Sequence, residues 1–319
     1  VHHALPLVSL QFRLGIMPEL PEVHTTVTQL GTLITNLKIS DVWSDYDSQH
    51  YYGKEQVKDP AYFELFRKKI IGKKVIGTER IAKNVLIHLE DNLTILIHMK
   101  MTGHLLYGLY EYEKVRNRWV AKNKGPLRDD KWNGWIRMVW SFNNKKHLAF
   151  SDLRKFAKVT LVATDKILEH KDLAKLGPDP INNSFPFSLF KERLLLKPNG
   201  KIKQVLMNQE IIAGVGNIYS DEALWLSHIH PERLVTKCSD EELKLLHKKT
   251  IHVLKRGIDF KGDSMSDYRT PSGEPGEFQT KHNVYQRKGE TCKRKGCGGT
   301  IERIKVGGRS AHFCPKCQK

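Results

Sequence analysis

Three β-like segments follow one another with no helical interruption: Lys73-Lys74-Val75-Ile76-Gly77-Thr78-Glu79-Arg80, Val85-Leu86-Ile87-His88-Leu89-Glu90 and Leu93-Thr94-Ile95-Leu96-Ile97-His98-Met99. Asp91-Asn92 separates the last two by a two-residue spacer that suits a hairpin turn. Further segments of the same kind lie at Trp135–Phe142, His147–Ser151 and Lys158–Ala163, with Asn143-Asn144 as a second turn. Strands clustered in this way, without regularly alternating helices, favour an antiparallel β-sandwich over a doubly wound parallel sheet.

Outward from this cluster the pattern changes. On the N-terminal side Val23, Val27, Leu30 and Ile34 share one helical face from Pro21 onward. A second helix begins at Asp59-Pro60, an N-cap with proline at the first helical position, and stops near Gly72. After Asp165 helical spacing takes over, past a linker marked by Pro178, Pro180, Asn182 and Asn183. Helices are expected at about 187–196, 201–208, 217–227 and 240–256, the last opened by a Ser239/Glu242 capping box. Asp263–Gln279 is rich in Gly, Pro, Ser and Asp and reads as a mobile functional loop. The expected fold class is α+β: a sandwich with flanking helices over 17–165, a linker over 166–183, a helical domain over 184–279 and a small module over 280–319.

The first sixteen residues are apolar, with Arg13 their one fixed charge, and they stop at Met17. They do not combine a basic start, an apolar core and a small-residue cleavage site, so they do not read as a secretory signal. The expectation is that Met17 starts the working protein and that residues 1–16 are a prefix outside it.

The 319 residues carry a net charge of +18. That excess calls for a polyanionic partner. No run of 18 apolar residues and no basic amphipathic helix supports a membrane role, so nucleic acid is the expected partner. Residues 279–319 hold seven Lys and four Arg against two Glu, half the net charge. Interleaved Tyr285, Ile301, Ile304, Val306 and Phe313 make this a small folded module rather than a solvated tail.

Four of the five cysteines fall in that module, as Cys292-x4-Cys297-x16-Cys314-x2-Cys317. Two close pairs separated by a hairpin-length segment suit tetrahedral Zn²⁺, and four thiolates leave no open position for catalysis. One structural zinc is therefore expected. Gly307-Gly308 is the natural turn of the hairpin, and Arg309 stands beside it. Cys238 is isolated and reads as an inert thiol.

Several motifs now become specific. Pro18-Glu19-Leu20-Pro21-Glu22-Val23, following a methionine, resembles the N-terminus of bacterial formamidopyrimidine-DNA glycosylases. Arg80-Ile81-Ala82-Lys83, Ile97-His98-Met99-Lys100-Met101-Thr102-Gly103 and Asp152-Leu153-Arg154-Lys155-Phe156 resemble that family's next signatures. The stretch from Ile212 to Glu222, with Gly214-Val215-Gly216-Asn217 at its centre, is similar to its helix–two-turns–helix motif, and Cys314-Pro315-Lys316-Cys317-Gln318 to its zinc finger. The resemblance runs in order from Met17 to Lys319. The sixteen-residue prefix and the four residues between Cys292 and Cys297 depart from it.

The resemblance implies a monomeric repair enzyme for damaged double-stranded DNA that removes oxidised purines and cleaves the resulting abasic site. It assigns catalysis to Pro18, Glu19, Lys83 and Arg309, and DNA contacts to Met101, Arg154, Phe156, Lys203 and Asn217. Each assignment has a physical reading. A free Pro18 nitrogen would be substantially neutral near pH 8 and nucleophilic, whereas in isolation this residue is a helix-entry proline. Glu19 could shuttle a proton to the sugar ring oxygen. Lys83, Lys203 and Arg309 would hold phosphate, as would Asn217 with the free N–H groups of its helix. Met101, Arg154 and Phe156 would fill the gap left by an extruded base; alone, Met101 and Phe156 would read as core residues.

Two other readings compete. An endonuclease VIII type would prefer oxidised pyrimidines, but the wording around Leu20–Val23 and the long loop favour the purine type, whose loop covers the extruded base. A non-catalytic zinc-ribbon protein would bind nucleic acid with no use for a free Pro18.

Overall fold

The computed structural model describes residues 17–182 and 184–319. The prefix and Asn183 lie outside the described residues, and so does any test of the expectations placed on them. Chain order is α1 (Leu20–Ile34), β1 (Ile39–Ser44), α2 (Pro60–Ile70), β2 (Val75–Ile81), β3 (Asn84–Leu89), β4 (Leu93–His98), β5 (His104–Gly108), β6 (Tyr110–Glu113), β7 (Arg118–Ala121), α3 (Pro126–Asp129), β8 (Ile136–Phe142), β9 (His147–Ser151) and β10 (Lys158–Ala163). Helices α4 (Phe187–Leu195), α5 (Ile202–Met207), α6 (Asn217–Leu226) and α7 (Asp240–Asp259) follow, then β11 (Glu302–Val306) and β12 (Arg309–Phe313). Among the described residues no helix is long and apolar enough to cross a membrane.

The strands form two four-stranded antiparallel sheets, ordered β1-β8-β9-β5 and β10-β4-β3-β2. Alternation along the strands decides which side chains meet. Val85, Ile87, Leu89, Ile95 and Ile97 of one sheet join Met138, Trp140, Phe142, Leu148 and Phe150 of the other in one core. Asp91 and Asn92 both take positive φ (60° and 58°), the conformation of a tight hairpin turn, which these residues tolerate. Four strands were not foreseen. β1 reads Ile-Ser-Asp-Val-Trp-Ser and β5 only His-Leu-Leu-Tyr-Gly, both too short or polar to stand out. The β6–β7 hairpin is charged on its open face and packs Tyr110, Ala121 and Trp119 behind the first sheet.

Helix α1 joins the two halves of the molecule. Val23, Val27, Leu30 and Ile34 are buried in the sandwich core, while Leu20 is buried in the helical core with Val215, Ile218 and Tyr219. The Ser239/Glu242 capping box opens α7 as expected. That helix continues three residues past Arg256, because Gly257 lets it cross closely: a Cβ there would fall 2.5 Å from the Tyr219 ring. The Asp263–Gln279 segment, expected to be mobile, is tied down at both ends, with Tyr268, Arg269, Thr270 and Phe278 buried. Its backbone polar groups find partners on both domains rather than water, which is the physical reason its composition misleads.

Candidate active site

The first turn of α1 is fixed from both sides. Leu20 is buried, and its N–H donates to Gly214 O at 3.1 Å, so the loop before α6 lies against the start of α1. This carries Glu19, 2% exposed, to the N-terminus of α6, where Oε1 accepts the Ile218 N–H at 2.8 Å. A helix N-terminus offers unpaired N–H groups and the positive end of the peptide dipoles, and here a carboxylate of the same chain takes that place. Gly216 makes the approach possible, since a Cβ would fall 2.3 Å from the Glu19 carboxyl carbon. Glu19 Oε2 has no hydrogen-bond partner in the protein. Burial pushes the Glu19 carboxyl up, against the Lys83 charge and the amides of Ile218, Gly216 and Tyr219. A carboxyl with a raised pKa and one uncommitted oxygen is suited to proton transfer.

Glu22 supports this arrangement from below. Its Oε2 accepts the Glu19 N–H (2.8 Å), and its Oε1 accepts the Tyr219 hydroxyl (2.7 Å) and the Asp263 N–H (2.6 Å). Burial, then the neighbouring Glu19 charge, pushes its carboxyl up to about 7. Lys83 occupies the two-residue turn between β2 and β3. It is buried, and its Nζ donates to Val215 O at 2.9 Å. Burial pushes its amine down, while Glu19 and Glu22 hold it up.

Above these residues opens a cavity of about 1140 Å³ with three walls. The sandwich contributes Glu19, Lys83, His98 and Met101, the helical domain Gly216 and Asn217, and the C-terminal hairpin Arg303, Lys305 and Arg309. Pro18 is buried between Met17 and Glu19, both of which line the cavity. Arg309 is exposed at the hairpin turn and points its charge toward the same space. His98 was not singled out from sequence. Its Nδ1 accepts the Lys100 N–H at 3.0 Å and burial pushes its pKa down to about 3, so the ring is neutral and carries its proton on Nε2.

Two expected phosphate contacts need correction. Lys203 is fully buried: its Nζ pairs with Asp221 and donates to Ser310 O at 2.8 Å. The same Asp221 accepts the His312 N–H (2.8 Å). Lys203 therefore holds the Arg309 hairpin in place and does not reach outward. The expectation of free N–H groups beside Asn217 also fails in part, because Glu19 takes the Ile218 N–H. The Asn217 side chain lines the cavity; its Nδ2 donates to the Tyr285 hydroxyl at 3.4 Å and its Oδ1 has no partner.

Met101, Arg154 and Phe156 come together although 55 positions separate the first from the last. The Arg154 guanidinium lies 4.4 Å over the Phe156 ring, and its Nη1 donates toward Met101 Sδ at 3.2 Å. Phe156 is 47% exposed, so it is not a core residue. The loops that carry the three are held by buried Asp152, which accepts from Thr102 Oγ1 (2.5 Å), the Tyr46 hydroxyl (2.9 Å) and Ala157 N–H (2.9 Å).

The four C-terminal cysteines converge, their sulfurs all within 4.8 Å of one another. Cys297–Cys314 and Cys292–Cys317 stand 3.6 and 3.9 Å apart. Tetrahedral zinc with bonds of about 2.3 Å requires sulfurs about 3.8 Å apart, so the set fits one structural Zn²⁺. Cys292 also accepts the Trp225 indole N–H (3.3 Å), which joins the finger to α6.

Three family models match in succession: the formamidopyrimidine-DNA glycosylase N-terminal domain over residues 17–159, its H2TH domain over 176–269, and a zinc finger found in FPG and IleRS over 289–319. A formamidopyrimidine-DNA glycosylase of Halalkalibacterium halodurans is 37% identical over 95% of this chain and all of its own. That of Heliobacterium modesticaldum is 36% identical with the same coverage. Among solved structures, a complex of Lactococcus lactis Fpg with abasic-site DNA superposes with a TM-score of 0.78 at 32% identity, covering 94% of this chain and 99% of its own. A MutM complex with DNA containing carbocyclic 8-oxo-G gives the same TM-score and identity, over 95% of this chain and 100% of its own. With sandwich, helical domain and finger matched end to end, this chain belongs to the formamidopyrimidine-DNA glycosylase family.

Proposed function

We propose that this DNA glycosylase binds damaged duplex DNA in the basic cavity, excises oxidised purines and then cleaves the strand at the abasic site through Pro18. The observation that carries the reading is the position of Glu19: buried, raised in pKa, with Oε2 uncommitted, directly after Pro18 and on the cavity wall. A Pro18 nitrogen freed from the preceding residues attacks the sugar C1′ as the bond from C1′ to the base breaks; the base leaves with the electron pair and takes up the proton that the nitrogen sheds. Glu19 delivers a proton to the ring oxygen, which lets the sugar open to an iminium. The cation then acidifies the adjacent sugar protons, so the 3′ and 5′ phosphates leave by elimination.

The chain's other residues position the DNA. Arg309, Lys83 and Asn217 surround the cavity and hold backbone phosphate. Neutral His98 offers Nε2–H. Met101, Arg154 and Phe156 occupy the stack after the target base leaves it, and the Asp263–Gln279 strap covers the extruded base. Zinc supplies no chemistry to these steps; its thiolate site fixes the hairpin that presents Arg309. The structures of relatives with abasic, 8-oxo-G and Fapy-dG DNA support the substrate class.

Single-turnover base release from duplexes with 8-oxoguanine and with an oxidised pyrimidine, using protein that begins at Pro18, tests this reading. Faster release of 8-oxoguanine is expected. Faster release of the pyrimidine would instead assign the endonuclease VIII type, and release of neither would leave a binding protein.

A further inference from the structure

The strap between Asp263 and Gln279 is rooted in the helical domain, yet its tip lies on the sandwich. There it meets the turn that follows α3. Arg269 Nε pairs with Asp130 at 2.6 Å, and both are largely shielded from solvent. Asn133 Nδ2 donates to Gly273 O at 2.9 Å, and Tyr107 N–H donates to Pro271 O at 2.8 Å. Gly273 takes φ +86°, and a Cβ there would fall 2.8 Å from Leu127 N and 2.9 Å from Asn133 Nδ2, so the fit at the tip leaves no room for a side chain.

Asn133 is 1% exposed and both ends of its side-chain amide have partners. Its second amide hydrogen goes to Pro126 O at 2.8 Å. Both amide hydrogens being spent on carbonyls, its Oδ1 must accept from His104 Nε2, 3.0 Å away. Burial pushes His104 down to about 4, which keeps the ring neutral. Asn133 is therefore a three-way junction of β5, α3 and the strap.

From the tip the strap runs back to the catalytic end of α1. The Tyr268 hydroxyl donates to Glu22 O at 3.1 Å, and Asp263 N–H donates to Glu22 Oε1 at 2.6 Å. Glu22 in turn accepts the Glu19 N–H. An unbroken series of bonds thus leads from Asp130 and Asn133, on the sandwich, to Glu19.

We propose that the Asp130–Gly134 turn is a dock that holds the strap closed over the Pro18–Glu22 end of α1, and that Asp130 and Asn133 are positioning residues for base excision, acting through the strap. The proposal rests on the strap's covering the extruded base. It assigns to the dock a differential effect: excision of a base needs the cover in place, whereas an abasic nucleotide has no base to hold.

The test uses the full chain from Pro18, in two measurements. Hydrogen exchange of strap amides 264–277 is read without DNA, and single-turnover rates are read on an 8-oxoguanine duplex and on a preformed abasic site. Asp130→Asn keeps the cap that Asp130 Oδ1 gives Trp132 N–H but loses the ion pair. It should raise strap exchange about tenfold and slow excision by a similar factor, with abasic cleavage changed by less than about twofold. Arg269→Lys in the protein with Asp130 intact keeps the charge pair and should leave strap exchange and excision close to those of the unsubstituted protein. Asn133→Asp, which turns a donor toward two carbonyls into an acceptor, should have the larger effect; if it fails to fold, Asp130→Asn decides. Unchanged strap exchange in Asp130→Asn, or equal slowing on both substrates, would overturn the dock. If the unsubstituted protein releases no base and cleaves no abasic site, the functional reading fails, while exchange still decides whether the dock holds the strap.

Discussion

Glu19 and Gly216 stand so close that the absence of one methyl group sets the position of a carboxylate: a Cβ on Gly216 would lie 2.3 Å from Glu19 Cδ and 2.6 Å from each oxygen. The contact brings the start of α1 to the start of α6 and leaves Oε2 buried without a partner at the cavity wall. Gly216→Ala should expel the Glu19 carboxylate from the α6 N-terminus. Base excision should fall by about 10²-fold or more, the scale of a lost proton-transfer group. Equilibrium binding of an uncleavable abasic analogue should change little. Excision within about twofold of the unsubstituted protein would show that Glu19 does not act from this position.

Lys203 and Arg309 should part company. Arg309→Ala should flatten the dependence of log affinity on log salt by about one unit, as expected for a lost phosphate contact. Lys203→Ala should leave Asp221 buried without its ammonium partner and destabilise the protein by about 3 kcal/mol. Denaturant unfolding and salt titration of both variants measure the two effects. A flattened slope in Lys203→Ala at unchanged stability would return that lysine to the phosphate clamp.

These two residues also show where the sequence is legible and where it is not. Both belong to basic motifs, and composition treats them alike. Only the packing of α5 against β12 reveals that one is sealed in and the other exposed. Val23, Val27, Leu30 and Ile34 could be placed because a helix repeats with a fixed period, and the cysteines because zinc fixes their spacing. Glu22 lies beside that apolar face of α1, three residues after Glu19, and a second carboxylate in the first turn was a usable signal. His98 and Asp152 gave none, since their partners lie across the fold. The strap misled through composition: its Gly and Pro serve a tight docked course, not freedom.

Glu22 should make stability depend on pH. Its folded pKa, about 7, lies above its unfolded value of about 4.5. The folded protein therefore binds the extra proton in the interval between, and the contribution is full below about 4.5 and lost as pH rises through about 7. The loss amounts to about 3 kcal/mol at most. Glu22→Gln should flatten the stability profile between pH 5 and 8 by that order. A parallel profile in the variant would show that Glu22 is ionised throughout.

Arg154 should separate extrusion from cleavage. It lies over Phe156 and against Met101 on an exposed edge, apart from Glu19. Extruding a paired base costs a few kcal/mol, part of which the filling side chains offset, and an abasic nucleotide has no base to unstack. Arg154→Ala should slow release of 8-oxoguanine and relax discrimination of the opposite base, with preformed abasic sites cleaved at near the original rate. Equal slowing on both substrates would place Arg154 in general DNA binding or in folding.

The central claim is covalent chemistry at the Pro18 nitrogen, and borohydride trapping on duplex DNA containing 8-oxoguanine tests it most directly. Reduction of an iminium fixes the sugar to the protein through a stable amine. Protein that begins at Pro18 should form the cross-link, with the modified peptide mapping to its N-terminus. The 319-residue form with residues 1–17 still attached should form none, because its Pro18 nitrogen is an amide. Equal trapping by both forms, with the attached residues verified intact by mass, would contradict the account.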